Sequence, residues 1–87
     1  MAVRRADAAA LAAMTGRLDH VVQVSDDEVA GAMRALYADT HNAAEGAGAA
    51  ALAAALQGRS NLRGQCVGIA LTGANVDASV FAEVLGR

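Results

Sequence analysis

Gly46-Ala47-Gly48-Ala49-Ala50-Ala51 has the spacing of a dinucleotide-binding turn, G-x-G-x-x-A, whose glycines bring a pyrophosphate onto a helix N-terminus. That chemistry needs a strand leading into the turn. Here a helix and the polar stretch HNAAE (41–45) come first, so the string reads as a helix start whose small residues permit close packing. Glu45, just before it, either complements the positive end of that helix or faces a ligand; the pattern favours the first and leaves the second open. Thr72 follows the apolar run CVGIAL (66–71). A hydroxyl beyond the carboxyl end of a strand is placed to touch a ligand, yet it can equally close the strand by bonding local backbone. Asn75, three residues on, suits a turn.

The remaining candidates are weaker. Asp26, Asp27 and Glu28 form a carboxylate cluster, but a helix cap accounts for all three. His20 and His41 lie in different elements without metal-ligand spacing, and Cys66 at a strand start reads as a small buried hydrophobe. No metal site is expected, and no residue is assigned a catalytic role. Lysine is absent altogether. Arginine stays protonated and forms no comparable imine, so amine-based covalent catalysis cannot be supplied by a side chain of this sequence.

The elements that must position these groups follow from local signals. Asp7 and Gly16 bracket a short helix over 7–15. HVVQV (20–24) is β-branched and apolar and reads as a strand. Ser25 and Glu28 make a capping box, and behind it Val29, Ala32, Met33, Leu36 and Tyr37 recur at helical spacing, predicting a helix that ends near 39–42. An alanine-rich helix is predicted from about Gly46 to Gln57, with Leu52 and Leu56 one turn apart. GRSNLRG (58–64) is turn-like, CVGIAL reads as a strand buried on both faces, TGAN (72–75) as a loop and 79–85 as a final helix. The expected order is αβααβα: an α/β fold, part of a three-layer αβα domain with short parallel strands.

Composition narrows the functional classes. The net charge is −2, with seven basic residues, all arginine, dispersed among nine carboxylates, and aromatic content is 2%. Nucleic-acid binding would need a basic stripe with stacking aromatics, and neither is present. No apolar run is long enough to span a bilayer, so no membrane association is expected. The opening MAVRRADAAALAAM superficially resembles a targeting segment, but Asp7 interrupts it. With one cysteine and no disulfide framework, a cytoplasmic location is expected. Much of the 55% hydrophobic content is alanine, which adds little core volume.

Three segments, taken in order, resemble the C-terminal region of pyridoxal-phosphate-dependent threonine/serine dehydratases, the tryptophan-synthase-β-like fold type II group that includes serine racemase. They are VVQVSDDEVAGAMRALYADTHN (21–42), AEGAGAAALAAAL (44–56) and VGIALTGANVD (67–77). The opening MAVRRAD (1–7) is similar to the stretch that enters this region. The resemblance implies that residues 1–87 are an incomplete dehydratase domain. It implies that Thr72, where the family usually has serine, faces the pyridine nitrogen of pyridoxal 5′-phosphate, with Gly73, Ala74 and Asn75 shaping the pocket wall and Glu45 nearby. The family's imine-forming lysine and phosphate loop lie upstream of this region, so the chain is expected to be inactive alone. Its implied partner is the missing N-terminal portion or a homologous dehydratase chain, its substrate a hydroxy amino acid such as threonine or serine; self-association stays open. A different class of reading is a non-catalytic α/β interaction module docking on a full-length relative. A third is a decayed product with no role.

Overall fold

A computed structural model describes residues 5–86; the start of the MAVRRAD stretch, residues 1–4, lies outside the described residues. Among the described residues four helices follow one another: α1 (Ala8–Met14), α2 (Asp26–Thr40), α3 (Gly46–Gln57) and α4 (Ala78–Leu85).

Ser25 starts α2 as its type and spacing predict. Its hydroxyl accepts from the Glu28 N–H at 3.1 Å, and its own N–H donates to Glu28 Oε1 at 2.9 Å. The Glu28 carboxyl is held below the ordinary glutamate range, chiefly by the Ser25 backbone N–H; desolvation opposes the shift, and the Ser25 hydroxyl and Gln57 amide assist it. A lowered folded-state pKa contributes stability above the unfolded value of about 4.3, and that contribution is lost as pH falls through the folded value. Thermal melts of Glu28→Gln are therefore expected to depend less on pH through the acid range than those of the parent, because glutamine keeps the hydrogen bond without the titration. Equal acid sensitivity in both chains would contradict this.

Behind the cap, Val29, Ala30, Ala32, Met33 and Leu36 of α2 are buried. Tyr37 stays 44% exposed, its ring meeting Phe81 edge-on at 5.5 Å. Gly48, Ala49 and Ala53 form the buried face of α3. Both α3 and α4 pack on α2, and Val84 is the buried residue of α4. The Arg34 guanidinium reaches the Val84 carbonyl at 3.3 Å, tying the end of α4 to α2. The core is thus small and largely alanine; Val29, Met33, Leu36 and Val84 are its larger members. Helix α1 stands apart. Asp7 caps it through the Ala10 N–H at 3.1 Å and Gly16 ends it at φ +80°, but none of its residues is buried.

The αβα expectation is overturned. Among the described residues there is no strand, and neither 20–24 nor 66–71 pairs with a neighbour. A β-branched apolar run becomes a strand only when its N–H and C=O groups join a ladder and its side chains find a facing layer. Neither run joins a ladder, and of their side chains only Val24 packs on the core. Val21 is 78% exposed, and Val67, Ile69 and Leu71 also stand in solvent. The helices bury their small faces against one another instead of covering a sheet, so the described chain is all-helical.

Candidate functional site

The loop after Leu71 is set by α3. The Glu45 N–H, at the N-cap of that helix, donates to the Gly73 carbonyl at 3.0 Å. The Glu45 carboxylate lies against the Gly73 α-carbon, where a side chain on residue 73 would stand. On the far side of the loop, the Val76 N–H bonds back to the Ala74 carbonyl at 3.0 Å, and Val76 packs on the core. The loop is therefore pinned at Gly73 and again at Val76.

A cavity of about 320 Å³ opens beside it, lined by Asn42, Ala43, Leu71, Thr72, Gly73 and Ala74. The wall opposite the loop comes from the end of α2. There His41 adopts a left-handed conformation (φ 59°, ψ 32°) and turns the chain away from the helix axis. Thr40 donates its hydroxyl to the Leu36 carbonyl at 2.6 Å and accepts the Asn42 amide at 2.9 Å. The same amide reaches the Thr40 carbonyl at 3.3 Å. Both neighbours are acceptors, which fixes the amide nitrogen toward Thr40 and leaves the Asn42 side-chain oxygen as the acceptor.

Of the residues singled out in the sequence, Thr72, Gly73 and Ala74 line the cavity. Glu45 does not; it holds the loop from behind. Asn75 is exposed and also outside the lining. The Thr72 hydroxyl, like those of Ser60 and Ser79, bonds no described residue, whereas those of Thr15, Ser25 and Thr40 are each tied to backbone. It is an exposed hydroxyl available to a ligand. Asn42 was missed from sequence, where HNAAE reads only as a polar stretch; the polar pair His-Asn at a helix end is the one available signal.

Elsewhere, Cys66 is exposed rather than buried, because the run it opens lacks a covering layer. His20 sits 2.7 Å from Asp19 on the surface, beside a cavity of about 420 Å³ that also touches Gln57 and Asn61. The Gln57 amide is already committed to the Gln23 carbonyl and Glu28, so this groove offers little directed chemistry. Among the described residues no group of carboxylate, histidine and cysteine side chains can hold a metal, and no helix is long and apolar enough to cross a membrane.

The cofactor that the sequence resemblance implies fits this site in part. Its volume is at the lower end of small-ligand sites, about 300 Å³ and upward, and an unpaired neutral hydroxyl is a suitable partner for a ring nitrogen. The residues present fit the ring-nitrogen end of pyridoxal 5′-phosphate. They do not fit its other ends: no lysine exists to meet the aldehyde, and the start of α3 is covered by the Gly73 carbonyl.

Two curated proteins are similar to the chain. The chain is 41% identical over 68 residues to a protein of Sinorhizobium fredii provisionally named threonine dehydratase, a match covering 78% of the chain and 20% of that protein. It is 46% identical over 70 residues to the phenylserine dehydratase of Ralstonia pickettii, covering 79% of the chain and 22% of that protein. The chain spans about a fifth of the length of these relatives. No family model and no solved structure matches it.

Proposed function

We propose that this chain supplies the ring-nitrogen wall of a pyridoxal-phosphate-dependent dehydratase acting on a hydroxy amino acid. The observation that carries the reading is the Thr72 hydroxyl, unpaired at the cavity on a doubly pinned loop. Similarity to two dehydratases over nearly four-fifths of the chain supports it. When bound, the cofactor supplies an electron sink at the amino-acid α-carbon for loss of the β-hydroxyl. Thr72 would donate to the ring nitrogen and, being neutral, would not hold a proton there as a carboxylate would. Glu45 acts through the loop rather than on the ligand, and Gly73 and Ala74 shape the wall beside the hydroxyl.

The rest of the machinery belongs to a partner: the remaining dehydratase polypeptide, carrying the lysine and the phosphate cradle. The exposed apolar runs 20–24 and 66–71 are the surface proposed to receive it. The exposed free thiol of Cys66 suits a reducing, cytoplasmic setting.

Pyridoxine 5′-phosphate, which lacks the aldehyde and so forms no imine, tests the reading directly. Titrated into the isotopically labelled chain, it should shift the Thr72 amide resonance. Thr72→Val should weaken binding about five- to tenfold, the worth of one hydrogen bond, while Thr72→Ser preserves it. A Thr72 resonance unmoved at saturating probe defeats the proposal.

A further inference from the structure

The approach of the loop to α3 requires more than the Glu45 hydrogen bond. A β-carbon built on Gly48 would lie 2.5 Å from the Gly73 carbonyl oxygen, 3.0 Å from its nitrogen and 3.3 Å from its carbonyl carbon. Every one of those atoms is backbone. None can rotate away. Two other glycines provide the contrast. At Gly73 a side chain would meet the tip of the Glu45 side chain, which can swing aside; at Gly31 it would meet only the Arg34 guanidinium, at an ordinary 3.6 Å. Gly48 is buried in the first turn of a helix whose other residues are mostly alanine. Alanine is the better helix former, so local preference alone would have placed it there too.

We infer that Gly48 is a positioning residue for the Thr72 hydroxyl: its bare α-carbon is the floor on which Gly73 rests, and that contact fixes the height of the neighbouring hydroxyl in the cavity. The functional meaning of that height rests on the reading of Thr72 given above. The placement of the loop does not. In Gly48→Ala, α3 persists because its propensity rises, and the added methyl lifts the Gly73 carbonyl off the Glu45 N–H. The loop yields, carrying Thr72 with it.

The experiment compares amide exchange and chemical shifts in the full 87-residue chain and three variants. Gly48→Ala is expected to speed exchange at the Glu45 amide by about tenfold or more and to shift Thr72, Gly73 and Ala74, with helical circular dichroism retained. Gly73→Ala and Gly31→Ala keep the Glu45 amide protected. Wild-type exchange and loop shifts in Gly48→Ala overturn the inference. Should that variant fail to fold, the parent decides: a nuclear Overhauser contact between the Gly48 α-protons and the Gly73 amide proton is expected, and its absence overturns the inference equally. Pyridoxine 5′-phosphate separates the placement of the loop from the role of Thr72. If the parent chain binds it, Gly48→Ala should bind about tenfold more weakly at an unchanged melting temperature, and equal binding refutes the positioning role. If the parent ignores the probe, the ring-nitrogen reading of Thr72 falls, while the exchange data still judge the loop.

Discussion

Met33→Ala is expected to abolish the cooperative thermal transition of this chain. Met33 is 4% exposed in the middle of the buried face of α2. Removing such a side chain costs about 2–5 kcal/mol, the larger figure where the surroundings cannot close over the gap. Here they cannot close easily: the neighbours are mostly alanines, which have no side-chain length with which to reach inward. Domains of this size hold roughly 4–13 kcal/mol in total, and a core with four larger side chains belongs near the bottom of that range. Leu11→Ala, on the unpacked and exposed α1, is the control and should change stability by less than about 0.5 kcal/mol. Circular dichroism melts of both variants check the pair. A sharp Met33→Ala transition within a few degrees of the parent would mean that the core formed by α2, α3 and α4 does not hold the chain together.

A second large effect concerns turnover. Given pyridoxal 5′-phosphate and L-threonine or L-serine, the chain by itself is expected to release no 2-oxo acid, since no lysine is available. Added to a dehydratase polypeptide that has the lysine and phosphate cradle but lacks the corresponding stretch, it should restore release from background to a readily measured rate. Thr72→Asp in the restored mixture should cut that rate strongly, because a carboxylate would hold the ring nitrogen protonated and change the chemistry the site favours. Oxo-acid release by the lone chain contradicts the first expectation. A matched polypeptide that gains nothing from the chain contradicts the proposed partnership.

The sequence was informative wherever the determinant was local. Ser25 and Glu28 satisfy each other's backbone within four residues, so the start of α2 could be read directly. The bounds of α3 at Gly46 and Gln57, the Asp7 cap and the turn over 58–64 are of the same kind. Strands are not local objects. HVVQV and CVGIAL have the composition of strands, but a strand also needs a ladder partner and a facing layer, and nothing within five or six residues encodes either. The site divides the same way. Thr72, Gly73 and Ala74 announce a loop by type, whereas Asn42 reaches the cavity only because His41 turns left-handed, and Glu45 reaches Gly73 only through a contact spanning 28 positions. Tyr37 fits the helical period of α2 but falls at the border of the buried stripe, where Phe81 covers one edge of its ring.

The Gln57 amide, at the end of α3, donates to the Gln23 carbonyl at 3.0 Å and to Glu28 Oε1 at 3.3 Å. The alanine methyls of the α3 face offer little instruction about which rung of one helix should meet which rung of the other, so the larger side chains and the rim must supply it. Slipping α3 along α2 by one turn would keep alanine at the Ala49 contact while bringing Leu52 to the place of Gly48 and Gln57 to that of Ala53. A directional bond at the rim adds to that selection, because only one alignment brings the amide to both acceptors. The alignment is thus marked at its periphery as well as in the core, by a glutamine that acts as an index mark.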